Sequence, residues 1–197
     1  MHPTSFQQKP LMPARPSPIV SIGAGSIVKD AHLPAYRKAG WRVASIFDLD
    51  NARARDLAAA FGIAAVPRSL GEAVETAAKD AVFDLALPAS AIPDVLDALP
   101  DGSAVLMQKP MGEDLAQATR IRDTCRRKRL KAAVNLQLRY APNMIAARDI
   151  LSRGLIGDLH DVEVRVTCAM PWHLWKFLYG IPRMEIIYHS IHYVDLV

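Results

Sequence analysis

Three groups of residues have the types and spacing to do chemistry. In IVSIGAGSIVKD, Gly23 and Gly25 end an apolar run and fit the first two glycines of a dinucleotide fingerprint. Val28 takes the third glycine position, so the stretch alone also describes a strand, a bend and a helix with no ligand. Asp48 lies 25 residues after Gly23, at the end of RVASIFDLD, near the spacing at which a carboxylate accepts the hydroxyls of an adenosine ribose. Its neighbour Asp50 is the better N-cap for the helix that follows. In YHSIHYVDL, Tyr188, His192 and Asp195 follow i, i+4, i+7 spacing and share one helix face. An imidazole there could accept the proton of a carbinol; the plainer reading of the residues alone is a core histidine satisfied by a backbone carbonyl. His189 raises a His/His/Asp metal cluster, but it sits on a different flank from Asp195, and no metal is expected.

Groups of this kind need a scaffold, and the chain alternates strand and helix signals from Pro18 onward. PIVSI precedes a helix to about Ala39, RVASIF precedes NARARDLAAAFG, and a short AAVP precedes SLGEAVETAA. VFDLAL then leads into SAIPDVLDAL and SAVLM into DLAQATRIRDTCRRK. Five β-then-α units followed by KAAVNL predict a parallel sheet covered by helices on both faces, a doubly wound α/β domain of the Rossmann kind. In such a domain the glycines fall at the end of the first strand, where the next helix aims unpaired N–H groups at a bound pyrophosphate. Gly23 would permit the tight turn and Gly25 the close approach of phosphate; Val28 implies looser packing of helix on strand. A carboxylate at Asp48 repels the extra phosphate of NADP, so NAD is the expected cofactor and NADP the lesser one.

Composition sets the outer limits. With 51% hydrophobic and 22% charged residues the chain can bury a core, and no apolar run is long enough for a membrane span or a secretory signal. The expected location is the cytoplasm. Cys125 and Cys168 are too few for a disulfide framework. The net charge of +4 is concentrated in RIRDTCRRKRLK, but Leu115, Ala118, Ile121 and Cys125 recur at helical spacing and leave the cations on the opposite face. That describes a solvated helix face; no nucleic-acid partner and no membrane partner are expected.

Four segments in order carry a family resemblance. GAGSIVKDAHLPAY resembles the first turn, and VLMQKPMGEDLAQA the "EKP" segment, of the glucose-fructose oxidoreductase and inositol dehydrogenase family (Gfo/Idh/MocA). NLQLRYAPNMIAARDILSRGLIGDL resembles that family's crossover into its second domain, and YHSIHYVDL its active-site helix. The resemblance implies an NAD-dependent oxidoreductase acting on CH–OH groups, transferring a hydride between nicotinamide and a hydroxyl or carbonyl of a sugar-like small molecule, in a homo-oligomer. It implies cofactor contacts at Gly23, Gly25, Ser26, Ile27, Asp48, Leu87, Pro88, Gln108 and Lys109. Catalytic roles are implied for Lys109, His192 and Tyr188: Lys109 hydrogen-bonding the substrate oxygen and the nicotinamide ribose after a cis Lys109–Pro110 peptide, His192 as the base. Gln108 departs from the family's glutamate, and Tyr188 stands where many members carry an aspartate. A phenol carries no charge at neutral pH, which puts inositol-like polyol oxidation in question.

Proline-rich and aperiodic, residues 1–17 are expected to be a flexible arm; by the same resemblance 18–137 are an NAD-binding Rossmann domain and 138–197 the incomplete beginning of an α+β substrate and oligomerisation domain. Its first strand, around Asp161 to Cys168, would have unpaired edges. Trp172, His173 and Trp175 offer flat apolar walls for a sugar-like substrate, or ordinary interface packing. A second reading, a nucleotide-binding or regulatory protein of the same fold without catalysis, rests on Gln108, Tyr188 and the shortened second domain.

Overall fold

The structure is a computed structural model that describes residues 5–167, 169, 173 and 179–197. The chain divides into two compact units: Pro13–Asn135, and Leu136–Val197 together with the residues up to Met12.

In the first unit, β1 (Ile19–Ile22), β2 (Val43–Phe47), β3 (Val82–Leu85), β4 (Ala104–Met107) and β5 (Lys131–Val134) form one sheet in the order β2-β1-β3-β4-β5. Every pairing is parallel. A parallel sheet must be covered on both faces, which is why all four residues of IVSI in β1 are buried. The strand expected at AAVP is reduced to a single bridge between Ser45 and Ala65. Pro67 closes that segment and has no N–H to extend a ladder.

Among the described residues, seven α-helices belong to the two units, and their ends follow local chemistry. The first begins at Ser26 and widens into a π-helical turn over Val28–His32 before α1 (Leu33–Ala39). It stops at Gly40, held at φ +70°. α2 (Asn51–Phe61) is capped by Asp50, which accepts the Arg53 N–H; α3 (Leu70–Glu75) is capped by Ser69 and α5 (Leu115–Arg127) by Asp114. α4 (Ile92–Ala98) has proline in its first turn, where no N–H is needed.

The period-two alternation of the strands divides the core. Val20, Ile22, Phe83, Leu85, Val105 and Met107 meet Ile92, Leu96 and Ile121 from α4 and α5. Ile46 meets Val28, Leu33, Ala54 and Leu57 on the other face. Ser21 and Asp84, out of phase with the first set, are buried as well. The packing at Val28 is the reverse of the looseness expected from its size: it is 0% exposed, and its helix is wound wider there.

On α5, Ile121 is buried and Cys125 half-buried, whereas Leu115 is 82% exposed because it opens the helix at the solvent edge. The basic face is tied to neighbouring acids: Arg120 bridges Asp94 and Asp97, and Arg127 bonds Asp97 at 2.8 Å. These cations are partners of α4.

The second unit contains α6 (Pro142–Ser152), a π-helical turn over Ile186–Ser190 and α7 (Ile191–Val194). The N-terminal segment lies against α6: the Gln7 N–H donates to Asp149 and the Phe6 ring receives the Arg153 guanidinium. Val162, Val164 and Val166 are about half exposed and no ladder forms over 161–167. Cys168, Trp172 and Trp175 lie outside the described residues; His173 is exposed. No helix among the described residues is long and apolar enough to cross a membrane.

Candidate functional site

All of the cofactor-binding residues expected from the sequence belong to the first unit and follow the carboxyl ends of β1, β2, β3 and β4. The sheet order reverses between β1 and β3, and in open α/β sheets the crevice at that reversal is where ligands enter. Backbone bonds carry the ladder past the named strands on this edge: Gly23 N–H to Phe47 (2.7 Å), Ala86 N–H to Ile22 (2.9 Å), Gln108 N–H to Leu85 (2.9 Å) and Asn135 N–H to Met107 (2.7 Å). The ladder therefore continues one residue beyond β1, β3, β4 and β5.

The two glycines of the turn have different reasons to be glycine. Gly23 has φ +111°, and a Cβ there would overlap the Ala86 carbonyl, so close packing between the ends of β1 and β3 demands it. At Gly25 a Cβ would meet nothing within 4 Å and φ is not in the left-handed region. The chain itself does not require glycine at that point. What a missing side chain provides there is open space beside the start of a helix, the arrangement that lets a phosphate approach backbone N–H groups. The Gly25 carbonyl accepts the N–H groups of Val28 and Lys29, which closes the first turn, and Ser26 and Ile27 are exposed at its beginning.

Asp48 is half-buried and held on both oxygens: Oδ2 accepts the Ala24 N–H at 2.7 Å and Oδ1 the Asp50 N–H at 2.8 Å. An ionised carboxylate has about four acceptor positions, so both oxygens retain capacity for hydroxyl donors. Leu87 is half-buried and Pro88 exposed at the start of the turn that leads into α4.

Gln108 and Lys109 follow β4 directly. The Lys109–Pro110 peptide is cis. Burial lowers the Lys109 amine below its ordinary value, favouring the neutral form. Gln108 accepts the Lys109 N–H on Oε1 at 2.8 Å, while its Nε2 lies 3.2 Å from His32 Nε2. His32 Nδ1 lies 2.7 Å from Asp84 Oδ2, and the Tyr36 hydroxyl donates to the same oxygen at 2.9 Å. The Tyr36 phenol is pushed far up, first by burial and then by the charge of Asp84 and its bond to it. Asn135 Nδ2 is 3.4 Å from His32 Nε2. None of His32, Tyr36, Asp84 and Asn135 was singled out from the sequence. One signal was present: an aspartate inside the otherwise apolar VFDLAL has to find partners if that strand is central.

Tyr188, His192 and Asp195 belong to the other unit. His192 is buried on α7, and Tyr188 is half-buried in the π-helical turn. That wider turn changes the spacing from which one shared face was expected. Asp195 is held by Arg139, whose Nε donates to Oδ2 at 2.8 Å and whose Nη2 donates to Oδ1. The bond raises the guanidinium pKa further. His189 Nδ1 bonds Glu185 at 2.9 Å, and this bond lowers the Glu185 carboxyl pKa.

A parallel sheet with a glycine turn after β1, an acid after β2 and a lysine after β4 defines a Rossmann-fold nucleotide-binding class. The sequence profile of the Gfo/Idh/MocA oxidoreductase family, NAD-binding Rossmann fold, matches residues 18–136, more than half of the chain, and the chain belongs to that family. It is 31% identical over 144 residues to trans-1,2-dihydrobenzene-1,2-diol dehydrogenase of Mus musculus, an alignment covering 70% of this chain and 42% of that protein. The chain thus spans less than half the length of the curated relatives it matches. Among solved structures, the WlbA dehydrogenase of Bordetella pertussis, in complex with NADH and UDP-GlcNAcA, superposes with a TM-score of 0.73 at 23% identity. That match covers 92% of this chain and 57% of the other, and it speaks to the fold alone. The 3-ketoreductase KijD10 of Actinomadura kijaniata, in complex with NADP and TDP-benzene, gives 0.57 at 26% identity over 73% of this chain and 44% of the other.

Proposed function

We propose that this chain is the nucleotide-binding part of an NAD-dependent oxidoreductase that moves a hydride between nicotinamide and a hydroxyl or carbonyl of a sugar-like small molecule. The observation that carries the reading is the opening at Gly25, where the fold has no use for a glycine and a dinucleotide does. The names of the mouse dehydrogenase and of the 3-ketoreductase support chemistry at a CH–OH or C=O carbon. NAD is preferred over NADP because Asp48, a carboxylate anchored by two backbone N–H groups, would oppose a 2′-phosphate.

In this reading Gly23, Gly25, Ser26 and Ile27 receive the pyrophosphate, Asp48 the adenosine ribose, and Leu87, Pro88, Gln108 and Lys109 the nicotinamide half. When bound, the cofactor supplies the hydride acceptor or donor. Lys109 hydrogen-bonds the substrate oxygen, from an amine whose pKa burial has lowered. His192 takes the proton of the substrate hydroxyl and returns it in the reverse direction. Tyr188 contributes a hydroxyl that can donate or accept but brings no charge.

A second reading, nucleotide binding without catalysis, is favoured by Gln108 and Tyr188, which stand where the family resemblance implies acids. Titration with NAD and NADP, followed by a turnover assay on polyols and ketoses, separates the two. Saturable NAD binding with turnover supports the first reading; binding without turnover by the whole protein supports the second; no binding of either cofactor overturns both.

A further inference from the structure

We propose that Asp84, His32 and Gln108 form a positioning chain that holds His32 as the neutral Nδ1–H tautomer and, through the Gln108 amide, fixes the backbone at Lys109. The assignment of donors follows from chemistry at each contact. A backbone N–H can only donate, so the atom of Gln108 that lies 2.8 Å from the Lys109 nitrogen is its carbonyl oxygen. That leaves the amide NH₂ facing His32 Nε2 at 3.2 Å, and an NH₂ group can only donate. His32 Nε2 must therefore be the unprotonated nitrogen. A second amide, that of Asn135, lies 3.4 Å from the same atom, and with no partner among the described residues fixing its oxygen it can turn to suit either state of the ring. The single imidazole proton is on Nδ1, where it is donated to Asp84 Oδ2 at 2.7 Å.

The cluster is built rather than incidental. Asp84 is 0% exposed in the middle of β3, His32 is buried, and Tyr36 donates to the same carboxylate oxygen. The imidazole and phenol rings of His32 and Tyr36 meet edge to face at 6.2 Å. A buried carboxylate in a central strand costs stability unless donors surround it, and hydrophobic burial gives no reason for it. Its placement makes sense as an anchor: β3 and α1 fix the imidazole, and the imidazole fixes which way the Gln108 amide points. The titratable groups bonded to His32 or its partner are Asp84 from β3 and Tyr36 from α1; the amides from the ends of β4 and β5, Gln108 and Asn135, are neutral.

A glutamine at position 108 is the residue that lets this chain close with a neutral imidazole. A carboxylate in its place could not donate to Nε2 and would call for a second proton on the ring. The departure from glutamate at this position thus sets the charge state of His32, a buried residue 76 positions earlier in sequence. His32 and Asp84 act through Gln108, and are positioning residues. Their bearing on Lys109 rests on the proposed oxidoreductase function.

The test is imidazole ¹⁵N spectroscopy on the full chain at pH 7.5, with no cofactor present. Wild type is expected to show a protonated Nδ1 and an unprotonated Nε2 for His32, and Gln108→Glu is expected to convert the signal to that of imidazolium. An Nε2–H tautomer in wild type, or an unchanged neutral signal in Gln108→Glu, overturns the proposal. In parallel, His32→Phe should raise hydrogen exchange at the Lys109 amide by about tenfold, the scale of one lost hydrogen bond, while Val105 and Met107 amides keep their rates. Gln108→Met, which removes the acceptor directly without emptying the cluster, should do the same, and unaltered Lys109 exchange in a folded Gln108→Met chain counts against the proposal. Because these readouts need neither cofactor nor turnover, a failed activity assay leaves them standing, and a wrong tautomer sinks this inference without touching the oxidoreductase reading.

Discussion

Asp48 Oδ2 accepts the Ala24 N–H at 2.7 Å, tying the end of β2 to the turn that leaves β1. The residue expected to recognise the ribose is therefore also a clamp on the glycine turn. Substitution at Asp48 has two separable consequences.

Asp48→Ala should weaken NAD much more than NADP, since it removes both a hydroxyl acceptor and the charge that opposes a 2′-phosphate. The lost bonds to Ala24 and Asp50 should lower stability by about 1–2 kcal/mol. Calorimetric titration with both cofactors, beside denaturant unfolding, reads the two effects. Equal loss of NAD and NADP affinity would remove Asp48 from the cofactor assignment.

Alanine substitutions should divide the two glycines of the turn. Gly23→Ala forces a Cβ against the Ala86 carbonyl at φ +111°, and is expected to cost about 2 kcal/mol or more in unfolding free energy. Gly25→Ala meets open space, so the chain should stay as stable as wild type and lose cofactor affinity instead. Undiminished NAD binding by Gly25→Ala would show that the opening is not the pyrophosphate site.

Lys109 gives a pH signature with a definite sign. Burial lowers its amine below the ordinary lysine value of 10.5, so between the lowered value and 10.5 the unfolded chain binds more protons than the folded one. Stability attributable to this group rises with pH across that window, and the penalty for a buried charge is at full size below it. Lys109→Met should accordingly gain most over wild type near neutrality and lose that advantage as pH approaches 10.5. Urea unfolding of both proteins at a series of pH values measures it. A constant difference would mean that the amine is not desolvated.

Arg139 and Asp195 should matter for the order of α7. Their two-pronged contact joins the turn before α6 to the residue that ends α7. Asp195→Asn keeps the shape and removes the charge, and should lower stability by about 1 kcal/mol, with the loss diminishing in high salt because the guanidinium is partly solvated. A loss independent of salt would point to the neutral hydrogen bonds as the source.

The pattern of legibility follows from which forces are local. Alternating apolar runs and caps are local, so the parallel doubly wound class of the sheet, the Asp50 cap and the role of Gly23 could be read from sequence, whereas the strand order could not. AAVP failed as a strand because pairing is a property of two segments, and one residue with Pro67 after it was all that β2 could hold. Leu115 failed as a core position because helical spacing says nothing about where a helix starts relative to the sheet. The partners of the cluster around Asp84 were not legible for a related reason, although Asp84 itself signalled a need for them. Its four partners are scattered from residue 32 to residue 135 and meet only where strand ends converge.

The last prediction concerns catalysis in the whole protein. If His192 serves as the proposed base, and Lys109 as the proposed donor to the substrate oxygen, His192→Ala or Lys109→Ala should each lower turnover by about 10² or more, the scale of a lost proton-transfer group. NAD affinity should be nearly intact, because neither residue is assigned to the adenosine half of the cofactor. Tyr188→Phe should cost less, as it removes one hydroxyl and no charge. Steady-state kinetics with NAD titration for each variant decides the matter. Parallel losses of turnover and NAD binding in the His192 variant would make it a structural residue of α7, in keeping with its burial, and would move the search for the base to Tyr188.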